Sequence, residues 1–138
     1  MTLDLAQTIA PAEILQKTAP AAGRSGTDVL GRIGNLETRI ARSVTEIDAA
    51  QAVRYRVFAE EMQAKLSPDA VRRKRDIDAC DRICDHLLVL DTSIEGDAEE
   101  QIVGTYRLLR QDVAAVSGGF YSQSEFDVDA LIARHPEK

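Results

Sequence analysis

Two apolar runs lie close together in the second half of the chain. The first is His86-Leu87-Leu88-Val89-Leu90, ending at Asp91; the second runs from Ile102 to Arg110. Between them stands only the acidic stretch from Thr92 to Glu100, with Gly96 and Asp97 inside it. A connection this short and polar is a turn between strands, and strands joined in this way pair antiparallel. Upstream, Leu36-Glu37-Thr38-Arg39-Ile40-Ala41-Arg42 alternates apolar and polar residues, which predicts another strand with Leu36, Thr38, Ile40 and Arg42 on one side. Gly31 and Gly34 mark a boundary in front of it.

A helix follows that first strand. Ser43-Val44-Thr45-Glu46 has the spacing of a capping box, in which two side chains satisfy orphan amide donors reciprocally. Ile47, Ala50, Val53, Val57, Phe58 and Met62 then form one apolar stripe, predicting an amphipathic helix that ends near Met62. Residues 63–79, with Pro68 and the run Arg72-Arg73-Lys74-Arg75, are a long connection with room for a helical turn. Ser117-Gly118-Gly119 marks a loop, and Val128 to Arg134 reads as a short helix. The order strand, helix, strand, strand predicts an α+β fold. No GxGxxG or GxxxxGK[ST] occurs, so the usual nucleotide-cradling signatures are absent.

Composition narrows the class. A chain of 138 residues fits one domain, or part of one, and 44% hydrophobic residues argue against wholesale disorder. A net charge of -6 argues against nucleic acid as a partner. That charge is uneven: residues 24–75 hold eleven bases against seven acids, and residues 76–138 hold five against fourteen. Two cysteines do not staple a secreted scaffold, and the N-terminus lacks the basic start of a secretory signal. No stretch approaches the roughly 20 apolar residues that span a bilayer. The expected compartment is the cytoplasm, with peripheral contact at the inner membrane face as an option. Residues 1–30 read as a leader, flexible or partly helical, in which Leu3, Leu5, Ile9, Ile14 and Leu15 line one side of a weak helix. An interfacial segment is the alternative, though it lacks the usual Lys/Arg-rich face.

Several side chains could carry chemistry. Arg54 and Phe58 are four residues apart and share a helix face. Arg54 either snorkels to water or meets a carboxylate or phosphate at the rim of a cleft. Asp76, Asp78, Asp81, Asp85 and Asp91 form an acidic series, in which Asp85 stands directly before a buried-type run. Arg107 lies among Val103, Thr105 and Leu109, where a charge is costly unless paired. Asp85, on the adjacent strand, is the expected partner. Cys80, Cys84 and His86 make an incomplete metal set, so no metal is expected.

Several segments together resemble a known family. Gly31-Arg32-Ile33-Gly34-Asn35-Leu36-Glu37 and Arg54-Tyr55-Arg56-Val57-Phe58-Ala59-Glu60-Glu61-Met62 resemble L-ornithine Nα-acyltransferases. So do Cys84-Asp85-His86-Leu87-Leu88-Val89 and Ile102-Val103-Gly104-Thr105-Tyr106-Arg107-Leu108-Leu109-Arg110. Gly118-Gly119-Phe120-Tyr121 and Ser124-Glu125-Phe126-Asp127 extend the likeness over residues 31–138 in unchanged motif order. The resemblance implies the N-terminal half of a GNAT-like fold, a mostly antiparallel sheet with helices packed on it. The family's chain continues beyond a point equivalent to Lys138, so a fragment is expected.

The implied reaction moves a 3-hydroxyacyl group from acyl carrier protein to the α-amine of ornithine, giving lyso-ornithine lipid. No permanently bound cofactor is implied, because the carrier-protein thioester is itself the donor substrate. Arg54, Phe58, Asp85 and Arg107 would line or organise the substrate cleft. The base and the oxyanion donors are expected beyond residue 138. Carrier proteins of this kind are acidic, which makes Arg72, Arg73, Lys74 and Arg75 a docking patch or, equally, a solvated charge run. Phe120, Tyr121 and Phe126 would wall the acyl chain or else pack in the core. Acyl-homoserine-lactone synthases share the Arg-x-x-x-Phe and Gly-x-x-Arg-Leu-Leu elements, so a related synthase is an alternative. An inactive fragment or a carrier-binding module is another.

Overall fold

The chain is described here by a computed structural model, over residues 29–136. Four strands form one antiparallel sheet in the order β1-β2-β3-β4. They are β1 (Gly31–Ile33), β2 (Leu36–Ile40), β3 (Asp85–Asp91) and β4 (Ile102–Leu108). The leader reading, the side chains of Leu3, Leu5, Ile9, Ile14 and Leu15, and any membrane contact they make lie outside the described residues. Among the described residues no helix is long and apolar enough to cross a membrane.

The glycines read as a boundary are instead a hairpin. β1 pairs with β2, Ile33 opposite Leu36, and Gly34 turns the chain with φ at +57°. Glycine adopts that backbone without steric cost, and a two-residue hairpin turn needs it.

Helix α1 (Val44–Tyr55) packs across β3 and β4. Ser43 caps it: its hydroxyl accepts from the Glu46 N–H at 3.2 Å. The reciprocal half of the expected capping box does not form. The Glu46 carboxylate accepts from the Arg42 N–H at 2.6 Å and grips the Arg39 guanidinium through two bonds of 3.0 and 2.6 Å. The helical path continues from Arg56 to Glu61 as a wider π-turn, with the Met62 N–H donating to the Val57 carbonyl at 2.9 Å. Widening the turn rotates the side chains off the 3.6-residue stripe. Ala50 and Val53 are therefore buried, while Phe58 and Met62 are exposed.

On β2 the covered face is not the side that carries Leu36, Thr38, Ile40 and Arg42. Leu88 opposes Arg39, so Arg39 points under α1 and Leu36 stays exposed. In a strand a shift of one residue exchanges the two faces. The core consists of Ala50, Val53, Leu88, Leu90 and Ile102, with Ala41, Ala49 and Ala98 against it. β4 carries a register shift between Val89 and Leu90: Val89 faces Gly104 while Leu90 faces Ile102. Val103 is the extra residue and is exposed, so Ile102, not Val103, shares the covered face with Thr105 and Arg107.

The connections are more structured than their composition indicates. Residues 63–79 contain α2 (Pro68–Arg73), capped by Ser67 and ended by Lys74 in a left-handed conformation. A 3-10 turn, Ala79–Arg82, precedes β3, and the short α3 (Ala98–Gln101) precedes β4. The segment between β4 and the glycine loop forms α4 (Gln111–Ser117), ended by Gly118 at φ +100°. After a 3-10 turn at Tyr121–Ser124, α5 (Val128–Arg134) forms where expected, capped by Asp127.

Candidate functional site

The Ala79–Arg82 turn puts one carboxylate between two arginines. Asp78 starts the turn by accepting from the Cys80 N–H at 2.9 Å, and the Asp81 side chain folds back to accept from the Asp78 N–H at 3.1 Å. Asp81 then receives Nη2 of Arg54 at 2.9 and 3.0 Å, Nη1 of Arg107 at 3.0 Å, and Nε2 of Gln51 at 3.1 Å. Its side chain is only 6% exposed. Donors fill its lone pairs, which offsets the cost of taking a carboxylate out of water. Gln51 and Arg54 reach it together because residues three apart share a helix face.

The outer rim of the network is acidic. Arg54 Nε donates to Asp76 at 3.0 Å, and Arg54 also bonds the Asp76 carbonyl. Arg107 pairs with Asp78, whose side chain is 45% exposed. Three carboxylates thus surround two guanidiniums, and the member open to solvent is an acid. Burial tends to raise the Asp78 pKa, but the hydrogen bond and charge of Arg107 outweigh it and hold the carboxyl below its usual range. Burial likewise tends to lower that of Arg107, and the bonds and charges of Asp78 and Asp81 push it upward instead. Arg107 is therefore a permanent cation.

The structure brings Arg54 and Arg107 together through Asp81, not through Asp85. Asp85 opposes Leu108, one position out of phase with the His86–Arg107 pair, so it lies on the other face of the sheet. It pairs with Arg110 at 3.2 Å. The partners of Arg107 are Asp78 and Asp81, residues noted only as members of an acidic series. The Asp-x-x-Asp spacing from Asp78 to Asp81 was the available signal, since it caps a turn. Phe58 sits one turn beyond Arg54, on the π-turn, and is exposed.

The remaining expected groups separate. In the basic run, Arg72 and Arg73 pair with Asp69, and Arg75 pairs with Asp48 at 2.9 Å. Phe120 lines a cavity of about 980 Å³ with Leu109, Val128, Leu131 and Ile132, with Arg110 and His135 also in its wall. Tyr121 and Phe126 are 88% and 69% exposed and belong to neither cavity nor core. Among the described residues no group of three or more His, Cys, Asp or Glu side chains could hold a metal. Cys80 and Cys84 are free thiols, and burial with the neighbouring Cys80 raises the Cys84 pKa.

Residues 53–138, which hold most of this network and the cavity, match the family model of the acetyltransferase (GNAT) domain. The chain belongs to the GNAT acetyltransferase family. It is 74% identical over 118 residues to an L-ornithine N(alpha)-acyltransferase of Rhizobium meliloti, covering 86% of this chain and 40% of that protein. Proteins of the same name from Agrobacterium fabrum and Brucella abortus are 69% and 50% identical, over 80% and 78% of the chain and 38% of each relative. The chain thus spans about 40% of the length of such relatives. No solved structure matches it. The GNAT match agrees with the α+β layering of helices on an antiparallel sheet.

Proposed function

We propose that this chain belongs to an N-acyltransferase that moves a 3-hydroxyacyl group from acyl carrier protein to the α-amine of ornithine, yielding lyso-ornithine lipid. The observation that carries the reading is the 74% identity to a protein named L-ornithine N(alpha)-acyltransferase, over a segment long enough to include every residue of the Asp81 network. The reaction is aminolysis of a thioester: the neutral amine attacks the carbonyl carbon, the amine loses a proton, and the carrier thiol leaves. Residues of this chain contribute orientation, which lowers the barrier by holding reactants in register.

The network is built for a cationic amino acid. Its rim carboxylates, Asp76 and Asp78, meet an ammonium group, while Arg107, pinned by Asp81 beside the buried Arg54, offers its remaining N–H groups to a carboxylate. Phe58, exposed beside them, covers the apolar part of the acceptor. Asp85 instead steadies Arg110 in the wall of the neighbouring cavity. That cavity takes the acyl chain, with Phe120, Leu131 and Ile132 as its wall in place of the Tyr121 and Phe126 pair. The two sites flank the C-terminal end of β4. The carrier protein docks on Arg72, Arg73, Lys74 and Arg75; their exposed pairs with Asp69 and Asp48 are weak enough for an acidic partner to replace.

The test is product mass analysis with ornithine and 3-hydroxyacyl carrier protein, run on this chain and on the chain continued to the length of its relatives. Nα-(3-hydroxyacyl)ornithine is the expected product of the longer form. A lactone, or no product from either form, contradicts the reading.

A further inference from the structure

Three buried polar atoms beneath the ion network have no hydrogen-bond partner in the protein: Nη1 of Arg54, Nδ1 of His86 and Oγ1 of Thr105. Arg54 is 8% exposed and His86 is 2% exposed. A buried donor or acceptor left unsatisfied has given up its hydration for nothing in return. Two of the three side chains, Arg54 and His86, bond Asp81. Arg54 reaches the Asp81 carboxylate through its other arm, and His86 Nε2 lies 3.0 Å from the Asp81 carbonyl. Across the sheet, His86 opposes Arg107, and Thr105 opposes Leu88, one step along the same face. Thr105 is therefore the diagonal neighbour of His86, within side-chain reach.

The donor and acceptor inventory is complementary. A carbonyl only accepts, so Nε2 of His86 carries a proton; in the Nε2–H tautomer Nδ1 is an acceptor. Arg54 Nη1 is a donor. The Thr105 hydroxyl can do either. We infer that Arg54, His86 and Thr105 enclose a buried water site beneath the Asp81 network. One water accepts from Arg54, donates to His86 Nδ1 and bonds Thr105. Three bonds to otherwise unsatisfied buried groups are typical of internal water. A cation is repelled by the guanidinium, and an anion has no proton to offer Nδ1. The water ties the free arm of Arg54 to β3 and β4 and holds His86 in one tautomer.

The test is nuclear magnetic resonance on the intact chain. Long-range proton–nitrogen correlations of His86 should show the Nε2–H tautomer with a hydrogen-bonded Nδ1, and Thr105 should give a cross-peak to a long-lived water. In Thr105→Val, which keeps the shape and removes one partner, the residence time should fall roughly tenfold. An Nδ1–H tautomer, absence of a long-lived water, or an unchanged residence time in the Val variant overturns the inference. The wild-type tautomer and cross-peak decide it even if that variant fails to fold.

Discussion

Two buried charge clusters stand on the covered face of this sheet, and they are built differently. Arg39 and Glu46 form a two-pronged pair, each side chain 7% exposed. The Asp81 cluster has two cations against three anions, and its members grade from buried Asp81 to open Asp78. The closed pair joins β2 to α1, with both side chains away from solvent. An unbalanced cluster with one end in water keeps bonding capacity for something else. Burial of charge alone does not separate the two clusters; access to solvent does.

Removing Asp81 should break the site cluster most severely. Asp81→Ala leaves Arg54 buried without its main partner, and taking one member from a buried pair costs about 3–5 kcal/mol. Denaturant unfolding measures that loss, and transfer of acyl groups to ornithine should vanish with it. Glu46→Ala strands Arg39 in the same way and should cost a similar about 3 kcal/mol, yet activity per folded molecule should stay near wild type. If Glu46→Ala abolished turnover in the folded fraction, the division into scaffold and site would fail.

Acid sharpens the contrast further. Burial works to raise the Glu46 pKa, but the hydrogen bonds from Arg39 and Arg42 and their charges win and hold it low. A carboxyl with a depressed folded pKa contributes stability that is complete above the ordinary carboxylate range, about pH 4, and is lost as pH falls through the folded value. Unfolding midpoints should therefore drop below about pH 4, and Glu46→Gln should flatten that decline. Asp78, held low by Arg107, adds in the same direction but less, because it is largely exposed.

Smaller effects belong to residues outside both clusters. Asp85→Asn should cost less than about 1 kcal/mol, because its pair with Arg110 is partly solvated. Replacing Arg72, Arg73, Lys74 and Arg75 by Ser should leave stability within about 0.5 kcal/mol while weakening carrier-protein affinity and flattening its salt dependence. Unchanged affinity across a salt titration would rule out docking on this run.

Much of this arrangement could be read from the chain before any coordinates. The alternation in 36–42, the run 86–90, the Ser43 cap and the α5 segment are local patterns, and local patterns survive into the fold. Arg54 and Arg107 stood out because each is a charge set among apolar neighbours. What could not be read depends on one-residue phase. The buried status of Arg39, the bulge at Val103 and the choice of Asp81 over Asp85 all turn on which face a strand presents. The π-turn after Tyr55 misplaced Phe58 for a similar reason, since periodicity assumes a constant pitch. Tyr121 and Phe126 mislead by composition: aromatic residues are usually buried, and here a short 3-10 turn leaves both in water.

The central claim is that Asp81 makes Arg54 and Arg107 act as one unit on the amino-acid acceptor. A double-mutant cycle with Arg54→Met and Arg107→Met, read as kcat/KM for ornithine in the active polypeptide, tests it most directly. The account predicts strong non-additivity, with the double variant scarcely worse than either single one. Effects that simply multiply would contradict it.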